Sequence, residues 1–282
     1  MSEGNSDFRW IGKRPIRPDG VDKVTGRAAF GADYNLPDML HAAMVRSPHA
    51  HARIVSIDTS KAEALPGVKA VVTSADFPEM SAADATKGTA PCNFVHLSQN
   101  VMARGKALYD GHAVAAVAAT SMVIARKAAA LVEVEYEVLP HVIEVDEAIA
   151  DDAPVLHDDM FTAGIDPKPE AASNVAKRVE FSIGDLDAGF AQADVVVERE
   201  FSTQAVHQGY IEPHAVVADA NERGQVKIWC SSQGHFMVRA ITAAVLGVLK
   251  AGDHVIAGDQ LYGKSLRLLN QDLPRLGLST TL

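Results

Sequence analysis

Apolar positions at regular spacing divide the first half of the chain into predicted strands and helices. Three segments have a β-like pattern and are predicted to be strands: residues 40–45, 53–58 and 68–73. Residues 60–65 favour one short helix, which Pro66 and Gly67 would stop. Residues 76–105 have no clear period and several turn formers, so they are predicted to form a long loop or several short pieces.

A strand–helix–strand pattern follows this segment. Residues 113–119 form an uninterrupted apolar run, which is typical of a buried strand. Ser121 can cap a helix that continues to about residue 131. Residues 132–138 then alternate apolar and acidic side chains, which is the period of a half-buried strand. The pattern therefore predicts a helix packed on strands.

The second half of the chain begins with a segment rich in Asp, Pro, Gly and Ala, residues 151–176, which predicts a linker. The residues beyond it predict four strands and two helices: strands over 178–183, 194–203, 216–219 and 226–230, and helices over 186–192 and 236–249. Residues 221–224 would form the turn of the last strand pair. The chain as a whole is predicted to have an α+β fold.

Composition and charge narrow the classes of function. The chain has 282 residues, of which 48% are hydrophobic and 22% charged, and a net charge of −10. An acidic protein without a basic cluster is not expected to bind nucleic acid or anionic membranes. The polar N-terminus and the lack of a long apolar run predict a cytoplasmic protein. Cys92 and Cys230 are predicted to be reduced thiols.

Two groups of histidines have the residue types of a metal site. His49 and His51 are two residues apart and would share a face of a strand. His207, Glu212 and His214 lie close together in AVHQGYIEPH, but without the helical H-E-x-x-H spacing. The first pair is predicted to make ordinary polar contacts, and the second group to form a turn with buried polar side chains.

Residues 258–265, GDQLYGKS, match the phosphate-loop pattern G-x-x-x-x-G-K-[ST] and follow a short apolar run. Bulky Leu261 and Tyr262 occupy positions where such a loop would be crowded, because its backbone must wrap closely around phosphate. No apolar strand ending in Asp follows Ser265. A nucleotide hydrolase is therefore not predicted.

A polar cluster, Ser231, Ser232 and Gln233, follows the predicted strand 226–230. Ligands often lie at the ends of strands. The neutral Gln233 amide can donate a hydrogen bond to an oxo group and accept one elsewhere.

Seven segments of the chain match a known pattern: RPDGVDKVTGRAAFGADY, HAAMVRSPHAHARIVSID, GVKAVVTSADFP, YDGHAVAAVAA, VEVEYEVLP, FSTQAVHQGYIEPHAVVA and IWCSSQG. In their order and spacing, along more than four-fifths of the chain, they resemble the molybdenum-cofactor-binding large subunits of the xanthine dehydrogenase/aldehyde oxidase family. Carbon monoxide dehydrogenase and isoquinoline oxidoreductase large subunits belong to the same family.

This resemblance implies a domain order and a chemistry. An N-terminal arm over residues 1–27 would precede an α/β hammerhead domain over 28–150. After the linker 151–176, residues 177–240 would begin a molybdopterin-binding domain, in which Gln233 lies near the molybdenum oxo ligands. Such enzymes hydroxylate an aldehyde or an N-heterocycle with oxygen from water. Their electrons pass to iron–sulfur and FAD subunits.

The sequence departs from this family pattern after Gln233. The glycine-rich run that packs on the cofactor, and the late glutamate that acts as general base, are not found. The parent chemistry is therefore predicted to be lost in this chain, and its molybdopterin binding to be weak or absent. A non-catalytic module that docks on partner subunits is the alternative.

The tail, residues 241–282, is predicted to form a helix–strand–helix piece and resembles a second family. Its segment LKAGDHVIAGDQLYG is similar to pyridoxal-phosphate enzymes of cysteine and methionine metabolism, such as cystathionine γ-synthase. The resemblance implies that Tyr262 corresponds to the tyrosine that stacks on pyridoxal phosphate. The anchoring lysine of that family is absent and Lys264 does not match it, so pyridoxal phosphate binding is not predicted. The change of family near residues 240–243 predicts a chimera, with a remnant of such an enzyme as a further alternative.

Overall fold

The computed structural model describes residues 11–14, 16–80, 93–221, 225–246, 254–256 and 279–281. The described residues contain seven α-helices: α1 (Gly20–Thr25), α2 (Ser60–Glu63), α3 (Phe94–Val101), α4 (Met122–Ala129), α5 (Val145–Ala148), α6 (Leu186–Gln192) and α7 (His235–Leu246). They also contain ten strands: β1 (His41–Arg46), β2 (Ala52–Asp58), β3 (Val68–Thr73), β4 (Lys106–Ala107), β5 (Ala113–Ala119), β6 (Glu133–Val138), β7 (Val216–Ala220), β8 (Val226–Cys230), β9 (His254–Ile256) and β10 (Ser279–Thr281).

These elements belong to two compact units. One unit combines the described residues up to Pro37 with Gln204–His235, and contains the β7–β8 hairpin. The other contains Asp38–Thr203 and the described residues from Phe236 onward. The mixture of helices and sheets confirms the predicted α+β fold. The predicted domain boundaries remain predictions.

The larger unit contains two three-stranded antiparallel sheets. One has the order β1–β5–β3, and the other β4–β2–β6. The central strand β5 is buried along nearly its whole length, as its apolar run predicts. Its many alanines leave room for α4, which contacts all three strands of the first sheet.

The core of the larger unit lies where helices and sheets meet. Its buried residues are Ala62, Ala115, Val117, Ala128 and Val132. Ile57 and Val134 of the second sheet pack against the same cluster, so both sheets share one core. Ser121 caps α4, as predicted, because its hydroxyl oxygen accepts a hydrogen bond from the Ile124 amide at 3.3 Å.

Strand β6 shows why the alternating pattern is informative. Val134 and Tyr136 are half-buried, whereas Glu133, Glu135 and Glu137 point to solvent. Glu137 accepts a hydrogen bond from the Arg53 guanidinium of the neighbouring strand β2 at 3.0 Å. The acidic positions therefore remain hydrated while the apolar positions contact the core.

Two predictions of secondary structure, both of strands, are wrong. Residues 178–183 and 194–203 form no strand, and an isolated bridge joins Ala163 to Lys177 just before the first of these segments. A strand needs a partner edge, which the apolar pattern alone does not supply. Residues 76–105, predicted to form a long loop or several short pieces, contain the short helix α3 over residues 94–101, and the Asn93 side chain caps it by accepting hydrogen bonds from two amides.

The remaining elements follow the sequence pattern closely. The β7–β8 hairpin, α6, α7 and β9 lie where they were predicted, and β9 pairs with β10 in parallel. By contrast, the N-terminal arm contains the short helix α1, which the sequence pattern did not predict. No helix among the described residues is both long enough and apolar enough to span a membrane.

Candidate functional site

The polar cluster predicted at a strand end lies on the loop between β8 and α7. Gln233 is exposed there, and its amide makes no hydrogen bond with other described residues. The neighbouring Gly234 amide donates to the Ser232 hydroxyl at 3.0 Å. Gln233 is thus the polar side chain of this loop that is free to meet a ligand.

Glu212 holds the base of this loop in place. Its Oε1 accepts a hydrogen bond from the Ser231 hydroxyl at 3.0 Å and one from the Gly31 amide at 3.4 Å. The Ser231 amide also donates to the Ala215 carbonyl at 3.3 Å. The carboxylate therefore joins the N-terminal segment to the end of β8. The sequence analysis placed Glu212 in a turn with buried polar side chains and did not predict this role.

His207 and His214 lie on the same exposed segment but do not converge on Glu212. The His214 Nε2 forms a hydrogen bond with the Tyr210 hydroxyl, and the His207 ring lies 5.2 Å from that of Tyr210. Both histidines are exposed, so the prediction of buried polar side chains is wrong. They form no set of three ligands with Glu212 among the described residues.

His49 and His51 precede β2 instead of lying on a strand, and the predicted ordinary polar contact is found for the Nδ1 atom of His51. The His49 ring lies 5.0 Å from the Tyr136 ring in an edge-to-face arrangement. The buried His51 donates from Nδ1 to the Pro140 carbonyl at 2.7 Å, since a carbonyl can only accept.

Three other side chains of the larger unit come together although they are far apart in sequence. His96, His157 and Asp159 each place one potential ligand atom within 4.8 Å of the others. Burial, and after it the neighbouring His96, lower the pKa of His157 from its ordinary value. Sequence reasoning missed this group because its members belong to separate elements without a ligand spacing.

Gly31, whose amide donates to Glu212, has no side chain, and the local packing requires this. A Cβ at Gly31 would lie 2.8 Å from the Ala215 carbonyl oxygen and 3.0 Å from the Ser231 hydroxyl. Tyr34 follows closely in sequence, and its ring lies 5.5 Å from that of Trp229 on β8. Gly31 therefore permits the close approach of two backbone segments.

We expect Gly31→Ala to destabilise this smaller unit by about 1–3 kcal/mol, because the new methyl group overlaps the Ala215 backbone. The change can be followed by the fluorescence of Trp229 during urea unfolding, in a Trp10→Phe background that leaves one tryptophan. Gly20→Ala is the control, since its Cβ would meet only the Arg17 Cβ at 3.7 Å. Equal unfolding midpoints for the two variants would contradict the close approach at Gly31.

Several sequence predictions fall outside the described residues. These are Tyr262, Lys264 and the GDQLYGKS stretch, together with Cys92. Cys230 is a half-buried free thiol, in agreement with the prediction.

Two sequence profiles match most of the chain. Residues 25–140 match the aldehyde oxidase and xanthine dehydrogenase a/b hammerhead domain. Residues 167–258 match the molybdopterin cofactor-binding domain, and this match continues beyond the predicted change of family near residues 240–243. The resemblance of the tail to pyridoxal-phosphate enzymes, and the chimera it implies, therefore remain predictions.

Similar proteins and solved structures agree with these two profile matches. The chain is 32% identical over 242 residues to the nicotinate dehydrogenase large molybdopterin subunit of Eubacterium barkeri, with 86% of this chain and 52% of that protein covered. It is 35% identical to the carbon monoxide dehydrogenase large chain of Afipia carboxidovorans, with 92% and 32% covered. The structure of quinoline 2-oxidoreductase from Pseudomonas putida 86 aligns with a TM-score of 0.67 and 29% identity, with 96% of this chain and 34% of that chain covered.

The chain thus spans about half, or less, of the length of the relatives it matches. Within that span the hammerhead profile falls on the two-sheet unit, and the cofactor-binding profile includes the β7–β8 hairpin and the Gln233 loop. The chain belongs to the xanthine dehydrogenase/aldehyde oxidase family, as the N-terminal part of a molybdopterin-binding large subunit.

Proposed function

We propose that the chain is part of a molybdenum hydroxylase whose parent enzyme hydroxylates an aldehyde or an N-heterocycle with oxygen derived from water. The observation that supports this proposal is the match of residues 167–258 to the molybdopterin cofactor-binding domain, a range that includes the exposed Gln233. The parent substrate class follows from the family resemblance, and the relatives include a nicotinate and a carbon monoxide dehydrogenase.

The Gln233 loop fits a molybdenum cofactor in its chemistry. A neutral amide can donate a hydrogen bond to an anionic oxo group without the desolvation cost of a buried charge. Ser231 is engaged with Glu212, so it serves to position the loop. The described part of this loop therefore offers one cofactor contact, Gln233, on a base held by Glu212 and Gly31.

The bound cofactor would supply the two-electron oxidation. The residues of this chain would hold and orient the cofactor. Gln233 would donate its N–H to an oxygen ligand, and the Ser231–Glu212 hydrogen bond would fix the start of the loop that carries it. Gly31 would keep this base closely packed.

We further propose iron–sulfur and FAD subunits as the partners in a cytoplasmic complex, because a two-electron oxidation needs an acceptor for its electrons. The family's glycine-rich run and late glutamate are not found in these 282 residues, so turnover is proposed for the parent enzyme and not for this span alone. Without the glutamate, no general base would accept the proton of the attacking oxygen.

A non-catalytic docking module is the second candidate function, and exposed apolar side chains favour it. Phe181 and Ile183 are each 87% exposed, and Phe201 is 84% exposed. Large apolar groups in solvent commonly mark surfaces that another protein covers. Co-purification of iron–sulfur and FAD subunits with the chain in a cofactor-deficient host would support this function over catalysis.

The proposed hydroxylase is tested with Gln233→Ala in the complex purified from the source organism. We expect substrate-dependent dye reduction by the complex to fall about tenfold or more, because the variant removes one donor to the reacting centre. Gln208→Ala is the matched control, an exposed glutamine of the neighbouring segment. The isolated chain is expected to reduce no dye at all.

Two outcomes would contradict the proposal. Equal activity of the Gln233→Ala and Gln208→Ala complexes would remove Gln233 from the cofactor site. Stoichiometric molybdenum and turnover in the isolated 282-residue chain would show that it needs neither the missing base nor its partners.

A further inference from the structure

The group formed by His96, His157 and Asp159 lies outside the proposed cofactor loop. His96 is in the first turn of α3, and the other two residues lie on the loop that follows α5. The rings of His96 and His157 meet edge to face with centroids 5.5 Å apart. One potential ligand atom of each of the three residues lies within 4.8 Å of the others.

The surrounding backbone holds this loop from several sides. The Asn174 side chain accepts a hydrogen bond from the Leu156 amide at 3.0 Å and donates to the carbonyls of Ala148 and Pro154. The Met160 amide donates to the His157 carbonyl at 3.3 Å. These bonds place His157 next to α3 before any ligand is bound.

On the helix side, Asn93 accepts hydrogen bonds from the amides of Val95 and His96. The His96 backbone is therefore fixed by the cap of α3. Two imidazoles and one carboxylate thus converge from two structured segments of the chain.

The hydrogen bonds of His96 are incomplete. Its Nδ1 is buried and has no hydrogen-bond partner among the described residues. Buried polar atoms of side chains usually have a partner, and an orphaned ring nitrogen points to a ligand that the protein atoms do not supply. The edge-to-face contact between the two histidines accounts for their ring geometry but leaves this nitrogen without a hydrogen-bond partner in the described part of the chain.

The charges around the group suit a cation. Lys106 lies nearby, but its ammonium donates to Asp158 at 2.7 Å and to the Leu156 carbonyl at 2.9 Å, so its charge is paired. Asp159 is exposed and makes no salt bridge among the described residues. The Asp159 carboxylate therefore supplies a negative charge beside the imidazoles of His96 and His157.

We propose that His96, His157 and Asp159 bind a divalent transition-metal ion of the zinc class, which ties α3 to the loop after α5. Two nitrogens and one carboxylate oxygen are ligands that zinc accepts, with water in the fourth position. Magnesium and calcium prefer sites made of oxygen alone.

The geometry requires only a small closure. Ligand atoms around tetrahedral zinc are about 3.3 Å apart, because the metal–ligand distances are about 2.0–2.1 Å. The separations of up to 4.8 Å can close by rotation of the exposed Asp159 and half-buried His157 side chains. The backbone bonds to Asn93 and Asn174 would remain.

The test is a titration of the full chain with zinc by calorimetry, together with the absorption of bound cobalt. We expect one equivalent of zinc to bind, cobalt to give a tetrahedral spectrum, and magnesium to give no signal. Asp159→Asn and His157→Asn should each weaken zinc binding by about tenfold or more, since each removes a ligand. The unfolding temperature should rise with zinc in the unsubstituted chain and less in these variants.

The controls separate this group from other histidines on the surface. His141→Ala alters an exposed histidine, and His207→Ala with His214→Ala removes the exposed pair near Tyr210. Both controls should bind zinc like the unsubstituted chain. Because Asp159 is exposed, Asp159→Asn should keep the fold and decides the result if His157→Asn loses its circular dichroism.

Three results would overturn the proposal. The first is zinc binding below a tenth of an equivalent. The second is weaker zinc binding in the His207/His214 variant together with unchanged zinc binding in Asp159→Asn. The third is magnesium binding as tight as zinc binding. None of these measurements uses enzymatic activity, so they are independent of the proposed hydroxylase.

Discussion

Replacing His112 with alanine is expected to lower the free energy of unfolding by about 3–4 kcal/mol, the largest effect among the substitutions considered. The His112 side chain is completely buried, just before the central strand β5. Its Nε2 donates to the Gln99 carbonyl of α3 at 3.0 Å, and its Nδ1 accepts from the Leu108 amide at 3.2 Å. The ring also stacks on Tyr109 at 4.4 Å.

Alanine would remove all three contacts at once. The Leu108 amide and the Gln99 carbonyl would lose their partners, and a cavity would replace the ring. Chemical unfolding followed by far-ultraviolet circular dichroism measures the loss. His141→Ala is the control, since this exposed histidine should change stability by less than about 0.5 kcal/mol. Similar losses in the two variants would show that His112 does not join α3 to β5.

The same residue makes stability depend on pH in a defined direction. Burial lowers the pKa of His112 below its ordinary value, and protonation would place a second donor against the Leu108 amide. Below about pH 6.5 the unfolded chain takes up a proton that the folded chain does not, so stability falls until the pH reaches the folded pKa. The stability difference between the unsubstituted chain and His112→Ala should therefore narrow from pH 7.5 to 5.5.

Gly164→Ala is expected to cost about 3 kcal/mol. Gly164 has a positive φ of +83°, and a Cβ there would lie 2.1 Å from the Arg178 carbonyl oxygen. The methyl group is attached directly to the backbone, and the atom it meets is a backbone carbonyl oxygen, so no rotation of a side chain relieves the clash. The Arg178 amide donates to the Ala163 carbonyl at 2.8 Å as part of a parallel bridge, and the methyl group would break this pairing of the two segments.

Gly105→Ala is the control that separates the clash at Gly164 from the cost of placing alanine at a positive φ. Gly105 has a similar φ of +76° but nothing within 4 Å of a Cβ, so its substitution should cost only about 1 kcal/mol. Hydrogen exchange of the Arg178 amide gives a local measurement, and it should accelerate in Gly164→Ala alone. Equal unfolding free energies for the two variants would mean that the segments of Gly164 and Arg178 are not closely paired.

Local pattern was sufficient for the elements whose period and turn chemistry agree. The apolar run of β5, the Ser121 cap of α4 and the alternation of β6 predicted their elements within a few residues. The turn at residues 221–224 predicted the β7–β8 hairpin. In these segments, neighbouring residues alone determine the backbone and the buried face.

Family motifs predicted the function of the chain, which the local pattern of apolar and polar residues could not do. They predicted the hammerhead and the cofactor-binding segments, which the matches over residues 25–140 and 167–258 confirm. They also singled out Gln233, whose contact with a cofactor remains a prediction. Motifs identify such a residue by its neighbours in sequence, and a contact with a cofactor depends on residues far from it.

The tertiary structure alone decided what depends on contacts between distant segments. Residues 178–183 have a strand-like pattern but form no strand, because a strand requires a partner edge. The carboxylate of Glu212 holds Gly31 and Ser231, and His96 meets His157, through approaches that no spacing along the chain records. The sequence by itself determined the elements in which period and turn chemistry agree, and the family of this chain. Which buried polar groups meet was decided by folding, because those partners come from different elements of the fold.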